Sequence, residues 1–166
     1  LHNTLLTTLD AALIDLVDMR HSEGQAIGKV VRDQIDRIAE LTQAAEDLPA
    51  RKPDAIKARL KRQLAELMDA SDGQLDPQRV HQEAVFLATK ADIREELDRL
   101  HAHVAAVREL MDTGGAIGRR LDFLAQEFNR EANTLCSKSN DVDLTAIGLD
   151  LKSVIDQMRE QIQNLE

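Results

Sequence analysis

The chain has no tryptophan, no tyrosine and only three phenylalanines in 166 residues, with three prolines. β-Sandwiches and barrels rely on aromatic and β-branched side chains and on proline- and glycine-bearing turns, so this composition argues against both. A single cysteine, Cys136, excludes an intramolecular disulfide and a cysteine-rich zinc site and fits a reducing, cytoplasmic compartment. No apolar run approaches the roughly 20 residues of a membrane helix, so no membrane association is expected. The start, Leu1-His2-Asn3, does not read as a signal peptide. What remains is rich in Leu, Ala, Asp, Glu and Arg, 43% hydrophobic and 31% charged. The fold class that follows is all-α: an elongated bundle of about six helices with long helical hairpins, packed through aliphatic side chains.

Positive charge is also scarce, because 21 Lys and Arg against 30 Asp and Glu leave a formal net charge of −9. Such a surface repels phosphate on average, so nucleic acid would need a local basic patch. One exists between Arg51 and Arg62, where Arg51, Lys52, Lys57, Arg59, Lys61 and Arg62 face only Asp54 in opposition. The plain alternative is a solvated helix face.

Helical spacing runs from Thr4 to about Leu48 through Leu9, Leu13, Leu16, Met19, Ile27, Val31, Ile35, Ile38 and Leu41, as one long helix or two joined near Gly24 and Gly28. Leu48-Pro49 breaks it. Pro53-Asp54 opens a second helix, stopped by Ser71-Asp72-Gly73, and Asp76-Pro77 opens a third that runs to about Thr89. The next helix follows Asp92 and ends at Gly114-Gly115, and another spans about Ile117 to Ser139. A last helix carries Leu144, Ile147, Leu151, Val154, Met158, Ile162 and Leu165 as a narrow, coiled-coil-like seam. That seam must be covered by other helices of the same chain or by a neighbour, and a second copy of the chain is the economical cover. Two units are expected: 1–75, the long central helix with the basic helix, and 76–166, the C-terminal helical domain.

At 100° per residue, Asp92, Glu96, Arg99 and His103 fall within about 60° of one another, beside the apolar face of Ile93, Leu97, Leu100, Val104, Val107 and Met111. Carboxylate, guanidinium and imidazole at such a boundary suit a divalent ion, a phosphate and a proton transfer; a salt-bridge ladder is the plain alternative. His101 lies on the opposite side and reads as exposed. The next helix has an amide-rich stripe, Asp122, Gln126, Asn129 and Asn133, and a second stripe of Arg120, Glu127, Glu131, Thr134 and Lys138. Phe123 lies on its polar side, where a partner surface or a stacked base would cover it. No P-loop, HExxH helix, EF-hand or nucleophile elbow occurs.

Lys90-Ala91-Asp92-Ile93-Arg94-Glu95-Glu96-Leu97-Asp98-Arg99-Leu100-His101-Ala102-His103, then Gly118 to Thr134 with Ser137-Lys138, then Met158 to Glu166, together resemble the C-terminal region of the bacterial YicC/YloC endoribonucleases. Met19-Arg20 followed by Glu23-Gly24 resembles that family's central helix. Family members are close to twice this length and begin with a mixed α/β domain that has no counterpart here, so the chain resembles a C-terminal fragment. Ala88-Thr89-Lys90 stands where the family often has Ala-Asp-Lys, so any metal role of that aspartate is lost.

The resemblance implies an RNA-cleaving homo-oligomer, hexameric at full length, assisted by Mg²⁺ or Mn²⁺. By motif, the matching positions are Asp92, Glu95, Glu96, Arg99 and His103 on one helix and Arg119, Asp122, Gln126, Glu127, Arg130, Glu131, Asn133 and Lys138 on the other. The expected catalytic and metal-holding set is Glu96, His103, Glu127 and Glu131. Arg99, Arg119, Arg130 and Lys138 would contact phosphate, joined by Lys57, Arg59, Lys61 and Arg62 of the basic run. Two alternatives stand beside this. His103 could act as a metal-free general base on the RNA 2′-hydroxyl, leaving a cyclic phosphate, or the chain could be an oligomerisation and RNA-docking module that is active only with the N-terminal domain.

Overall fold

The computed structural model describes residues 2–70, 77–139 and 141–163. The expected stop at Ser71-Asp72-Gly73, the cap at Asp76, Asn140 and the seam's Leu165 lie outside them. Among the described residues there are six α-helices and no strand, as the composition implies: α1 (His2–Glu46), α2 (Pro53–Ala70), α3 (Pro77–Ala91), α4 (Arg94–Thr113), α5 (Gly118–Lys138) and α6 (Val142–Gln163). A 3-10 turn over Pro49–Arg51 separates α1 from α2.

α1 is unbroken over 45 residues, about 68 Å at 1.5 Å per residue. Of the two readings, one long helix or two joined near Gly24 and Gly28, the first holds, and neither glycine has a neighbouring backbone close to it. A glycine costs a helix about 1 kcal/mol relative to alanine, too little to break one with good formers on both sides. At α4 the chain is cut cleanly: Asp92 Oδ1 accepts the Arg94 N–H at 3.0 Å to open it, and Gly114, at φ 71°, closes it.

α1 packs on α4 and α6, and α5 packs on α4 and α6, closing a four-helix ring in the order α1, α4, α5, α6. Inside lie Val31, Ile35, Ile38, Leu41 and Ala45 of α1, facing Leu100 and Val107 of α4, Leu121, Phe128 and Leu135 of α5, and Leu151, Ile155 and Met158 of α6. α2 and α3 pair with each other beside this ring. The core therefore runs across the expected boundary between residues 75 and 76, because the second half of α1 is one of its four walls.

The α6 seam is where the structure departs most from expectation. Leu144, Leu151, Met158 and Ile162 are buried within the chain, and Ile147 and Val154 pack against the same core. α1 and α5 cover this stripe over the described residues, so the chain itself supplies its cover there. The contact with α5 is close: a Cβ built on Gly148 would lie 2.6 Å from Cys136 Sγ. Most of the exposed large apolar side chains lie on the first half of α1; others include Val85 and Phe86 on α3, Phe123 on α5, 60% exposed, and Val142 and Leu149 on α6 outside the seam.

Candidate active site and cationic clefts

α4 and α5 run side by side, and their facing polar edges build one cluster. His103 of α4 with Glu127 and Glu131 of α5 place one potential ligand atom each, all within 4.8 Å of one another, the one such group among the described residues. Glu127 and Glu131 are one helical turn apart, so both carboxylates project from the same side of α5. Glu131 is buried at 2% exposure, and His103 and Glu127 are half-buried. The His103 ring meets Phe128 edge-on, centroids 5.6 Å apart, and its Nε2 is buried with no hydrogen-bond partner.

A buried imidazole nitrogen without a partner is costly unless something binds it. One imidazole and two carboxylates form a donor set that fits a divalent first-row cation, so these three residues pass as a metal site on their own chemistry. Arg99 reaches across from α4 and donates to Glu131 Oε1 at 3.1 Å and to Glu95. The hydrogen bond and charge of Glu131, with Glu95 adding to them, hold the Arg99 guanidinium above its ordinary range. Glu131 is thereby fixed by a cation on one oxygen.

Glu96 stands apart from this trio. Seven residues separate it from His103, about 10.5 Å along α4, so sharing an angular stripe does not bring the two together. Its Oε1 accepts from Lys138 Nζ at 2.8 Å, and Lys138 also donates to the Asp92 carbonyl at 3.0 Å. Glu96 Oε2 is buried and unpartnered. Glu96 and Lys138 thus join the start of α4 to the end of α5. Arg130 lies 3.9 Å from Glu127 and is mostly exposed. His101, expected to be exposed, is half-buried and sits 3.4 Å from Glu46 of α1. The amide stripe forms a hydrogen-bonded run: Gln126 donates to Asp122 at 2.8 Å, Asn133 to Asn129 at 2.8 Å, and Asn129 to Asp156 of α6 at 3.2 Å.

The basic run forms the start of α2. Lys57 and Arg59, with Arg51 and Arg94, line a cleft of about 650 Å³ that also holds Asp92 and Asp141. Burial pushes the Arg51 guanidinium down, against the pull of Glu46, and its Nη1 has no partner. Lys61 and Arg62 are exposed on α2.

Arg119 lies elsewhere, in a cleft of about 1070 Å³ between α1 and the α4–α5 turn, with Arg20 and Arg32 of α1. Arg20 and Arg32 were not expected to bind anything. A signal for them is present in sequence: Arg20, Gly24, Gly28 and Arg32 recur every four residues, which puts two arginines and two glycines along one edge of a helix.

No helix among the described residues is long and apolar enough to cross a membrane. Residues 43–166 match the family model described as "Endoribonuclease YicC-like, C-terminal". The chain is similar to a probable endoribonuclease YicC of Haemophilus influenzae, 45% identical over 98% of this chain and 55% of the relative. It is also similar to a probable endoribonuclease YicC of Clostridioides difficile, 32% identical over 100% of this chain and 56% of that relative. The chain thus spans about half the length of the curated relatives it matches.

Proposed function

The chain belongs to the YicC-like endoribonuclease family, and from that premise we propose that it hydrolyses RNA phosphodiester bonds with divalent-metal assistance at His103, Glu127 and Glu131. The observation that carries this reading is that His103, whose Nε2 is buried and unpartnered, places a ring nitrogen and two carboxylates, Glu127 and Glu131, within one 4.8 Å cluster. When bound there, a divalent ion supplies Lewis acidity toward a phosphoryl oxygen and lowers the pKa of water. The imidazole favours Mn²⁺ over Mg²⁺, which prefers an all-oxygen shell.

The protein's own part is positioning. Phe128 meets the His103 ring edge-on, and Arg99 holds the Glu131 carboxylate through Oε1. Arg130, exposed beside Glu127, is free to meet a phosphate. Lys57, Arg59, Lys61 and Arg62 of α2 supply sequence-independent backbone contacts in a chain that otherwise repels RNA. Self-association belongs to the same proposal, through the exposed apolar face of the first half of α1 and Phe123. Sedimentation as an 18.5 kDa monomer at high concentration would remove that part of the proposal.

The test is cleavage of a labelled RNA with Mn²⁺, with Mg²⁺ and with EDTA, by the chain and by His103→Ala, Glu127→Gln and Glu131→Gln, each checked for helicity. Losing a ligand should cost at least the roughly 10- to 100-fold typical of losing an outer-shell partner. Wild-type rates in all three folded variants would overturn the site. The same unpartnered Nε2 favours a second reading, in which His103 takes the proton of the 2′-hydroxyl. Cleavage that persists in EDTA and leaves a cyclic phosphate selects it. RNA binding without cleavage, restored to cleavage by a full-length relative's N-terminal region, selects a docking module instead.

A further inference from the structure

We propose that the cleft between α1 and the α4–α5 turn is a second phosphoryl-binding site, one that seats a nucleoside phosphate of an RNA strand. The choice of RNA rests on the function proposed above; the affinity for phosphoryl groups does not.

The argument starts from charge. The chain carries nine more acids than bases, yet the residues lining this cleft include Arg20, Arg32 and Arg119 and not one carboxylate. None of the three guanidiniums is in an ion pair with any described residue. Among the described residues, five other arginines are ion-paired, Arg37, Arg99, Arg108, Arg130 and Arg159, whereas Arg51, Arg59, Arg62, Arg94 and Arg120 are not; what sets this cleft apart is three arginines on its lining with no carboxylate among them. Arg20 and Arg32 stand three turns apart on α1, about 18 Å, with Arg119 across from them, so the cleft presents a run of uncompensated positive charge that successive phosphates of one strand can meet. A guanidinium is matched to the geometry of a phosphoryl group, which it meets with two N–H donors at once.

Shape supports the same occupant. The α1 wall is flattened by Gly24 and Gly28: an added Cβ would meet nothing within 4 Å at the first, and only the Arg32 guanidinium, at 3.9 Å, at the second. Across the cleft, Gly118 and Arg119 begin α5; the N–H groups of Arg120 and Leu121 donate to the Ile117 carbonyl at 3.0 Å, which leaves those of Gly118 and Arg119 for a ligand. The volume of about 1070 Å³ exceeds what an inorganic ion fills and suits a nucleotide with its neighbour. His21 and Gln25, bonded to each other at 2.9 Å, add the polar edge that a base or a ribose hydroxyl can engage. Arg119 and Glu127 are eight residues apart on α5, about 12 Å along its axis, so a strand anchored here is a few nucleotides from the trio.

The experiment measures binding of labelled single-stranded RNA by anisotropy in EDTA, across a salt series, for the wild-type chain and for Arg20→Gln/Arg32→Gln/Arg119→Gln. All three side chains are exposed and unpaired, so the variant should keep its helicity. We expect at least a tenfold loss of affinity, and a log–log salt slope shallower by about 2, at about 0.7 per phosphate contact. Arg→Lys at the same positions should restore the slope. Comparing a 5′-phosphorylated with a 5′-hydroxyl RNA separates a terminal phosphate from an internal one as the seated group. A triple Gln variant that binds with wild-type affinity and slope, or a wild-type chain that binds neither RNA, overturns the inference. RNA that binds in this arginine-dependent way but is never cleaved with metal overturns the nuclease reading and leaves this site standing.

Discussion

Between Leu6 and Met19, and again between Val31 and Ala45, α1 repeats apolar residues at spacings of three and four. In the second stretch Val31, Ile35, Ile38 and Ala45 are at most 1% exposed, walled in by α4 and α6. In the first, Leu6, Leu9, Leu13, Leu16 and Met19 are 46–63% exposed. Both stretches are helix, because helical period and propensity are local properties. Only one is core, because burial needs a partner that the period does not name. The same lesson applies to α6, whose narrow stripe looked like an intermolecular seam and is closed by the chain itself.

The sharpest way to break this comparison is to put charge into both stripes. Leu151→Asp with Met158→Asp sets two carboxylates at positions with 0% exposure and should cost several kcal/mol or more, enough to abolish the cooperative thermal transition. In dilute, dissociated protein, Leu9→Asp with Leu13→Asp should leave the transition within about 0.5 kcal/mol, the usual range for surface changes. Equal losses in the two variants would mean that the first half of α1 is covered in solution, and sedimentation would then show by what.

A smaller contrast sets a sheltered ion pair against an exposed one. Lys138→Met strips from Glu96 Oε1 its only partner among the described residues while Oε2 already has none, and should destabilise the chain by about 3 kcal/mol. Arg108→Met breaks the pair with Asp36, where both side chains are more than half exposed, and should cost about 0–1 kcal/mol. Urea midpoints at constant m-value would rank the two.

Much of this was legible in the chain. Helix ends follow proline and glycine punctuation, so Pro53, Pro77 and Gly114 mark boundaries that no packing argument is needed to find. The angular stripe on α4 and the paired Glu127 and Glu131 follow from 100° per residue, and two of these elements do meet in the trio. Pairings across long sequence separations were not legible. Nothing local says that Lys138 takes Glu96, 42 residues away, or that Arg20 and Arg119 share a cleft. An angle on a wheel also discards height along the axis, which is why Glu96 and His103 looked like neighbours.

Two glycines give effects of opposite sign, the second of them among the smallest expected. Gly148 lies where α6 meets α5, and an added Cβ would stand 2.6 Å from Cys136 Sγ and 3.1 Å from Leu135 Cδ2. Something must move, so Gly148→Ala should cost about 1–2 kcal/mol of overpacking, more than the helix propensity it gains. Burial already pushes the Cys136 thiol up, so its alkylation at neutral pH should be slower than that of a free thiol. Displacing the sulfur in Gly148→Ala should speed the reaction even where the fold survives. Gly24 sits in the unpacked half of α1 with nothing within 4 Å of an added Cβ. Gly24→Ala should therefore stabilise the helix by about 0.4–1 kcal/mol, through the freedom it removes from the unfolded chain. That gain will appear in the global melting temperature only if residues 2–30 unfold together with the four-helix core. If instead they fray independently, helicity before the transition rises while its midpoint stays fixed, and the two halves of α1 are then separate cooperative units on one continuous helix.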